Sequence, residues 1–130
     1  MDEIGAGARF PCPCCGYLTF DEPPGSYAIC PICFWEDDLS QLRFPRTSGA
    51  NRVPLLEAQR RFQQGGACEE RLRPSVRSPR AGDERDPGWR PIDPGQDAFE
   101  ALVLGRDAGT TYPRDATRLY YWRPTYWRRG

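Results

Sequence analysis

Two Cys-x-x-Cys pairs constrain this chain more than any other feature: "CPCC" at residues 12–15 and "CPIC" at residues 30–33. The second pair fixes the pattern, with Pro31 setting the turn after the first cysteine. The first pair reproduces it when Cys12 and Cys15 are partners, which puts Pro13 after the first cysteine and Gly16 after the second. Gly16 tolerates the left-handed backbone that such a turn commonly adopts there. Cys14 then lies inside the turn. The spacer of 14 residues, 16–29, suits a short hairpin and falls just below the usual range for paired Cys-x-x-Cys metal sites.

The sequence contains no histidine, so a site built from these residues is purely thiolate. Four thiolates suit tetrahedral Zn²⁺, and they close its shell where a catalytic zinc keeps a position open for water. The expectation is a structural Zn²⁺ site formed by Cys12, Cys15, Cys30 and Cys33. Iron is the competing metal, because tetrahedral S₄ coordination suits both. Cys14 and Cys68 remain: Cys14 reads either as a reactive thiol beside the metal or as an idle buried side chain, and Cys68 precedes two acids that blunt it.

Lysine is also absent, so all 18 positive charges are arginine. Without Lys or His there is no Schiff-base amine, no catalytic triad and no imidazole general base, and the chain is expected not to be an enzyme. No small-molecule substrate is inferred. The opening "MDEIGAGARF" carries acids and no apolar run, and nowhere do 18 apolar residues run together. This predicts a cytoplasmic protein with no membrane partner, in a compartment where thiols stay reduced.

Net charge is zero but divided. Residues 1–42 hold seven acids against Arg9 alone, a net of −6, and the remainder carries +6. The two parts are expected to attract each other.

Between the cysteine pairs, Tyr17–Phe20 and Tyr27–Ile29 read as the arms of a β-hairpin with a cysteine pair at the open end of each. "FWEDDLSQLRFPRTSGA" reads as a polar connection. "VPLLEAQRRFQQGG" predicts a helix around Pro54 to Gln64, with Pro54 at its first position and Leu55, Ala58 and Phe62 on one face. The predicted fold is small α+β: a Cys₄ ribbon, one or two short helices and a loop-rich Arg/Pro tail. The ribbon with its docked helix spans 1–72. Residues 73–95 form an Arg/Pro-rich extended linker that cannot bury much surface. Residues 96–130 hold a second short helix over 97–105 and an aromatic segment with a strand around Leu119 to Trp122.

Two clusters are candidates for partner binding. Trp35, Glu36, Asp37 and Asp38 follow the last cysteine directly. The acids could grip a cation or basic partner, or the aromatics cover the metal site while the acids are solvated or pair with this chain's arginines. In the tail, Tyr121, Trp122, Arg123, Trp127 and Arg128 interleave rings with cations. They suit base stacking with phosphate contacts, a protein-binding hot spot, or completion of a core too small to stand alone.

From Phe10 to about Pro94 the chain resembles the bacterial cysteine-rich CPCC family. The resemblance runs through "FPCPCCGYLTF", "ICPICFWEDD", "GANRVPLLEAQRRFQQGGACEERLRPSVRSPR" and "DERDPGW". It implies a small zinc-ribbon-like protein and supplies no activity. Where members of that family often place Ser-Leu at the helix start, this chain has Pro54-Leu55.

Overall fold

The backbone of each cysteine pair closes on itself. Cys12 N donates to the Tyr17 carbonyl (2.9 Å) and Gly16 N to the Cys12 carbonyl (2.6 Å). Cys30 N likewise donates to Trp35 O (2.9 Å) and Phe34 N to Cys30 O (2.8 Å). The two turns share one hydrogen-bond pattern, and the residue after each second cysteine is left-handed in both, with φ 82° at Gly16 and 71° at Phe34. For phenylalanine that conformation costs about 1–2 kcal/mol, which packing of its ring against the core offsets. These features come from a computed structural model, in which residues 9–100 and 112–127 are described.

Strand β1 (Phe10–Pro11) precedes the first turn and β2 (Leu18–Phe20) follows it, paired antiparallel with Phe10 opposite Phe20 and Pro11 opposite Leu18. Around the second turn, Ile29 bridges Glu36, flanked by bonds between Tyr27 and Asp37 and between Ala28 and Asp37. The expected hairpin between Tyr17–Phe20 and Tyr27–Ile29 is therefore replaced by two smaller hairpins, each with a cysteine pair at its tip. Closing a loop of a few residues costs less entropy than closing one of fourteen, and the turn bonds pull in the flanking residues.

Helix α1 (Leu39–Arg43) folds within what reads as a polar connection. Asp38 caps it, its carboxylate accepting from Ser40 N at 2.9 Å. Helix α2 (Leu55–Gly65) matches its expectation closely. Pro54 stands at the cap rather than at the first helical position, and Gly66, at φ 85°, ends the helix by donating to the Phe62 carbonyl. The buried face comprises Leu55, Ala58 and Phe62 as read from their spacing, with Gln59 added.

Beyond α2 come a 3₁₀ helix, Glu70–Ser75, and a long irregular segment. A second 3₁₀ helix, Ala116–Leu119, is capped by Asp115. The strand expected around Leu119 to Trp122 is absent: this 3₁₀ helix runs straight into turns, with Tyr120 N bonded to Thr117 O and Arg123 N to Tyr120 O. Those local bonds leave no extended edge to pair. Of the helix expected over 97–105, residues 97–100 are non-helical and the others lie outside the described residues.

One core forms around the cysteines. Phe20, Ile32, Trp35 and Leu42 enter from the cysteine-rich part, Leu55, Ala58 and Phe62 from α2, and Leu119, Tyr120, Tyr121 and Trp122 from the tail. Gln59 ties the parts together: its amide donates to Pro13 O (2.9 Å) and to Tyr121 Oη (3.0 Å), and its oxygen accepts from Ile92 N (2.8 Å). Leaving those groups unpaired in the interior would cost about 1–3 kcal/mol each, so one buried amide positions three distant segments. No described helix is long and apolar enough to cross a membrane.

Candidate metal centre

The two turns face each other and bring four sulfurs together. Cys12 Sγ lies 3.5 Å from Cys33 Sγ and Cys15 Sγ 3.7 Å from Cys30 Sγ, and all four sulfurs lie within 4.8 Å of one another. A tetrahedron with Zn–S bonds of about 2.3 Å has edges of about 3.8 Å. The thiols are thus spaced to hold one tetrahedral ion. Each of the four residues is fully buried, at 0% exposure.

Burial sets the electrostatics of the cluster. It pushes the Cys12 and Cys33 thiols well above their ordinary range. Cys30 is held below its ordinary value by hydrogen bonds from Cys12, Cys15 and Cys33, with Thr19 Oγ1 adding another at 3.3 Å. Ile32 N also points at this sulfur, at 3.4 Å. A dry cluster of this kind favours one thiolate shared among protonated neighbours, and a divalent cation is what would let all four ionise.

Cys14 and Cys68 back onto the cluster without joining it. Both are buried, at 0% and 1% exposure. Desolvation raises the Cys14 thiol, which sits in hydrogen-bonding reach of Cys33, and pushes Cys68 up to about 12. The backbone of Cys68 does structural work, its N–H donating to the Cys33 carbonyl at 2.8 Å.

Residues 84–89 cover the first turn. Leu18 N donates to Glu84 O, Arg85 bridges Tyr17, and Asp86 N donates to Gly16 O at 2.9 Å. Arg85 Nε donates to Cys15 O (3.0 Å), and its guanidinium lies 4.6 Å from the Tyr17 ring centre and 5.1 Å from that of Trp89. Trp89 Nε1 donates to Pro13 O at 3.1 Å. The Trp89 ring lies flush on Gly16, where an added Cβ would stand 2.5 Å from a ring carbon. Gly16→Ala is therefore expected to lower stability by about 2–4 kcal/mol, the sum of left-handed strain and overpacking. Urea titration of the metal-loaded protein checks this, and a loss under 1 kcal/mol would show that Trp89 moves aside freely.

The acidic cluster after Cys33 is turned largely into the fold. Trp35, Asp37 and Asp38 are 0%, 2% and 5% exposed. Asp37 Oδ2 accepts from Ser26 Oγ (2.7 Å) and Ser26 N (3.2 Å), and the second oxygen of Asp38 accepts from Ala50 N (2.8 Å). Glu36 is half-buried, and its backbone pairs with the Asn51 side chain through both N–H and C=O. None of the three acids pairs with an arginine among the described ion pairs. Backbone and hydroxyl donors of Ser26, Ser40 and Ala50 hold the Asp37 and Asp38 carboxylates instead.

Desolvation raises the Asp37 carboxyl, with Asp38 adding repulsion. The native state then holds its proton to higher pH than the unfolded chain, so stability falls as pH rises through that window. Asp37→Asn keeps an acceptor for Ser26 without the buried charge. It is expected to raise the urea midpoint at pH 7, with the gain shrinking as pH is lowered; a lower midpoint at pH 7 would mean that Asp37 is needed as an anion.

The tail candidates are also largely interior. Tyr121 and Trp122 are 2% and 8% exposed, with rings packed edge to face at 4.9 Å. Trp122 Nε1 and Arg123 Nε both donate to Asp86, at 2.6 and 3.1 Å. Trp127 is half-buried against the Arg43 guanidinium, which also contacts Phe44 and Tyr112 and pairs with Glu100. Arg128 lies outside the described residues. Tyr121 and Trp122 thus lie in the core, Trp127 packs against it, and Arg123 pairs with Asp86.

A small α+β chain whose core is built around four convergent buried thiols defines a cysteine-rich protein with a candidate metal centre. The sequence profile described as Cysteine-rich CPCC matches residues 10–83, more than half of the chain, and the chain belongs to that family. No curated protein matches it.

Proposed function

We propose that this is a non-enzymatic zinc-binding protein with a zinc-ribbon-like fold, whose structural Cys₄ site supports a surface for binding another protein. The observation that supports the reading is the near-tetrahedral spacing of four fully buried thiols. Cys12, Cys15, Cys30 and Cys33 would hold the ion, leaving no ligand position for a reacting water. The bound ion would supply a cross-link between two turns distant in sequence. Thr19 and the Ile32 N–H support the thiolate form of Cys30, and the Cys68 N–H fixes the backbone of Cys33.

With the aromatic and acidic candidates occupied inside, the surface offered to a partner centres on the rim of the second turn. There Tyr27 and Ile29 hold apolar side chains in solvent, at 57% and 42% exposure, beside half-buried Phe34 and Glu36. Tyr27 does so with φ 61°, a left-handed conformation that is rare for tyrosine.

Native mass spectrometry of the reduced protein, with and without a strong chelator, tests the metal reading together with the visible spectrum. One colourless zinc per chain, removed along with cooperative folding, is the expected result. A red, iron-loaded protein would redirect the reading to electron transfer, and a folded protein that takes up no metal would overturn it.

A further inference from the structure

We infer that residues 84–89 form a strap that gates the metal centre, so that metal enters and leaves by local release of this segment rather than by unfolding of the core. The inference rests on the metal-binding reading above. All four sulfur ligands are inaccessible, so a chelator or a competing thiol can reach them only after something moves. The candidates for movement are unequal. Ile32, Cys33 and Cys14 back onto the buried core. The first turn is covered on its other side by a segment without helix, in which Glu84, Arg85, Pro87 and Gly88 are exposed and Asp86 and Trp89 are half-buried.

The strap is nevertheless fitted to the turn it covers. It supplies donors to the carbonyls of Pro13, Cys15 and Gly16 and an acceptor to Leu18 N, so backbone groups around both first-turn ligands depend on it. Trp89 occupies the space that the missing Gly16 side chain leaves open. Its far side is anchored by Asp86, which takes hydrogen bonds from Trp122 and Arg123 of the tail. This is a short, exposed segment held by a handful of bonds, which is the profile of a unit that opens locally at a free energy below that of global unfolding. It lies just beyond the residues that the family profile matches, 10–83.

The full-length protein, loaded with Zn²⁺ and checked by native mass spectrometry, is mixed with excess colorimetric chelator, and the first-order release rate is followed at increasing urea below the unfolding transition. Trp89→Ala is expected to raise the release rate about 10- to 100-fold. Trp89→Phe, which keeps a ring on Gly16 and loses the bond to Pro13, should fall between Trp89→Ala and the parent. Asp86→Asn, which preserves shape and removes the charge, should speed release several-fold without loss of fold. In each case the rate should depend only weakly on urea, as local opening requires. Rates within twofold of the parent in both Trp89→Ala and Asp86→Asn would overturn the strap, as would release that tracks urea as steeply as global unfolding does. A parent that carries no metal would overturn the metal reading and the strap with it, whereas a loaded parent with unaffected variants overturns the strap alone.

Discussion

Cys30→Ser is expected to abolish tight metal binding and cooperative folding together. Structural zinc in small domains contributes about 10–16 kcal/mol at neutral pH, and a typical domain has only about 5–15 kcal/mol of net stability. With a bound ion lost, this chain would have little regular structure to compensate, since its elements amount to two short strands, two α-helices and two 3₁₀ helices among the described residues. Cys30 is the sharpest choice of ligand because it is the thiol that the fold prepares as an anion, through Thr19 and the Ile32 N–H. A serine there offers a poor ligand to a thiophilic ion and leaves three thiols at a site spaced for four. Native mass spectrometry should find at most weakly bound metal, and far-UV circular dichroism should show no cooperative urea transition. Cys14→Ser and Cys68→Ser are the controls, because neither sulfur belongs to the tetrahedron; both should retain one metal per chain. Full metal occupancy and a sharp transition in Cys30→Ser, or loss of metal in Cys14→Ser, would mean that the ligand set is wrong.

The grouping of the four cysteines was readable from sequence because it rests on local spacing: each turn closes within six residues, and Pro and Gly mark the register. Helix α2 was readable for a similar reason, its apolar face repeating at helical spacing between a proline and a glycine. The signal for α1 was also present, in Asp38 followed three residues later by Gln41, the spacing of a capping box. It was hidden because Gln41 does not reach back to the cap. Its side chain donates to Thr47 O and Val53 O and accepts from Asn51, stitching the loop that follows.

What composition alone could not give was the destination of the polar and charged residues. The opposite charges of the two parts suggested ion pairing between them. Among the described residues, Arg9 pairs with Asp21, and the remaining ion pairs all lie within residues 43–100 or join Asp86 to Arg123. Arginines of the later part reach the cysteine turns through a carbonyl and aromatic rings instead, as Arg85 does. The Arg/Pro-rich stretch read as extended chain with nothing to bury. Beyond the end of the 3₁₀ helix it is irregular chain with turns that sends Ile92 into the core, and the outward carbonyls of the first turn need donors, which Arg85 and Trp89 provide. That demand is set by tertiary geometry and leaves no trace in the local composition.

The tail makes the same point with a larger expected effect. Ending the chain before residue 112 removes Leu119, Tyr120, Tyr121 and Trp122, which are 1%, 1%, 2% and 8% exposed. Deleting a single large core side chain typically costs about 2–5 kcal/mol, so losing four, about 8–20 kcal/mol, is on the scale of the whole stability of an ordinary domain, about 5–15 kcal/mol. Gln59 would also lose Tyr121, and Asp86 would lose both groups that anchor it. The truncated chain is therefore expected to bind apolar dyes, to unfold without a cooperative transition and to release zinc to a chelator at least 100-fold faster than the parent. A truncated chain that keeps a sharp urea transition and parental release would mean that the aromatics are not the core and are free for another task. This also decides how a nucleic-acid role of the tail is to be tested, because a deletion that unfolds the protein abolishes every interaction alike. Arg118 is exposed, with its guanidinium resting on the Thr125 carbonyl, so Arg118→Glu changes the charge of the tail without emptying the core. If the tail only completes the core, Arg118→Glu leaves metal content and stability near the parent's and the protein shows no salt-dependent binding to single-stranded nucleic acid. Binding that falls steeply with salt in the parent and is lost in Arg118→Glu would instead give the tail's outer face a function of its own.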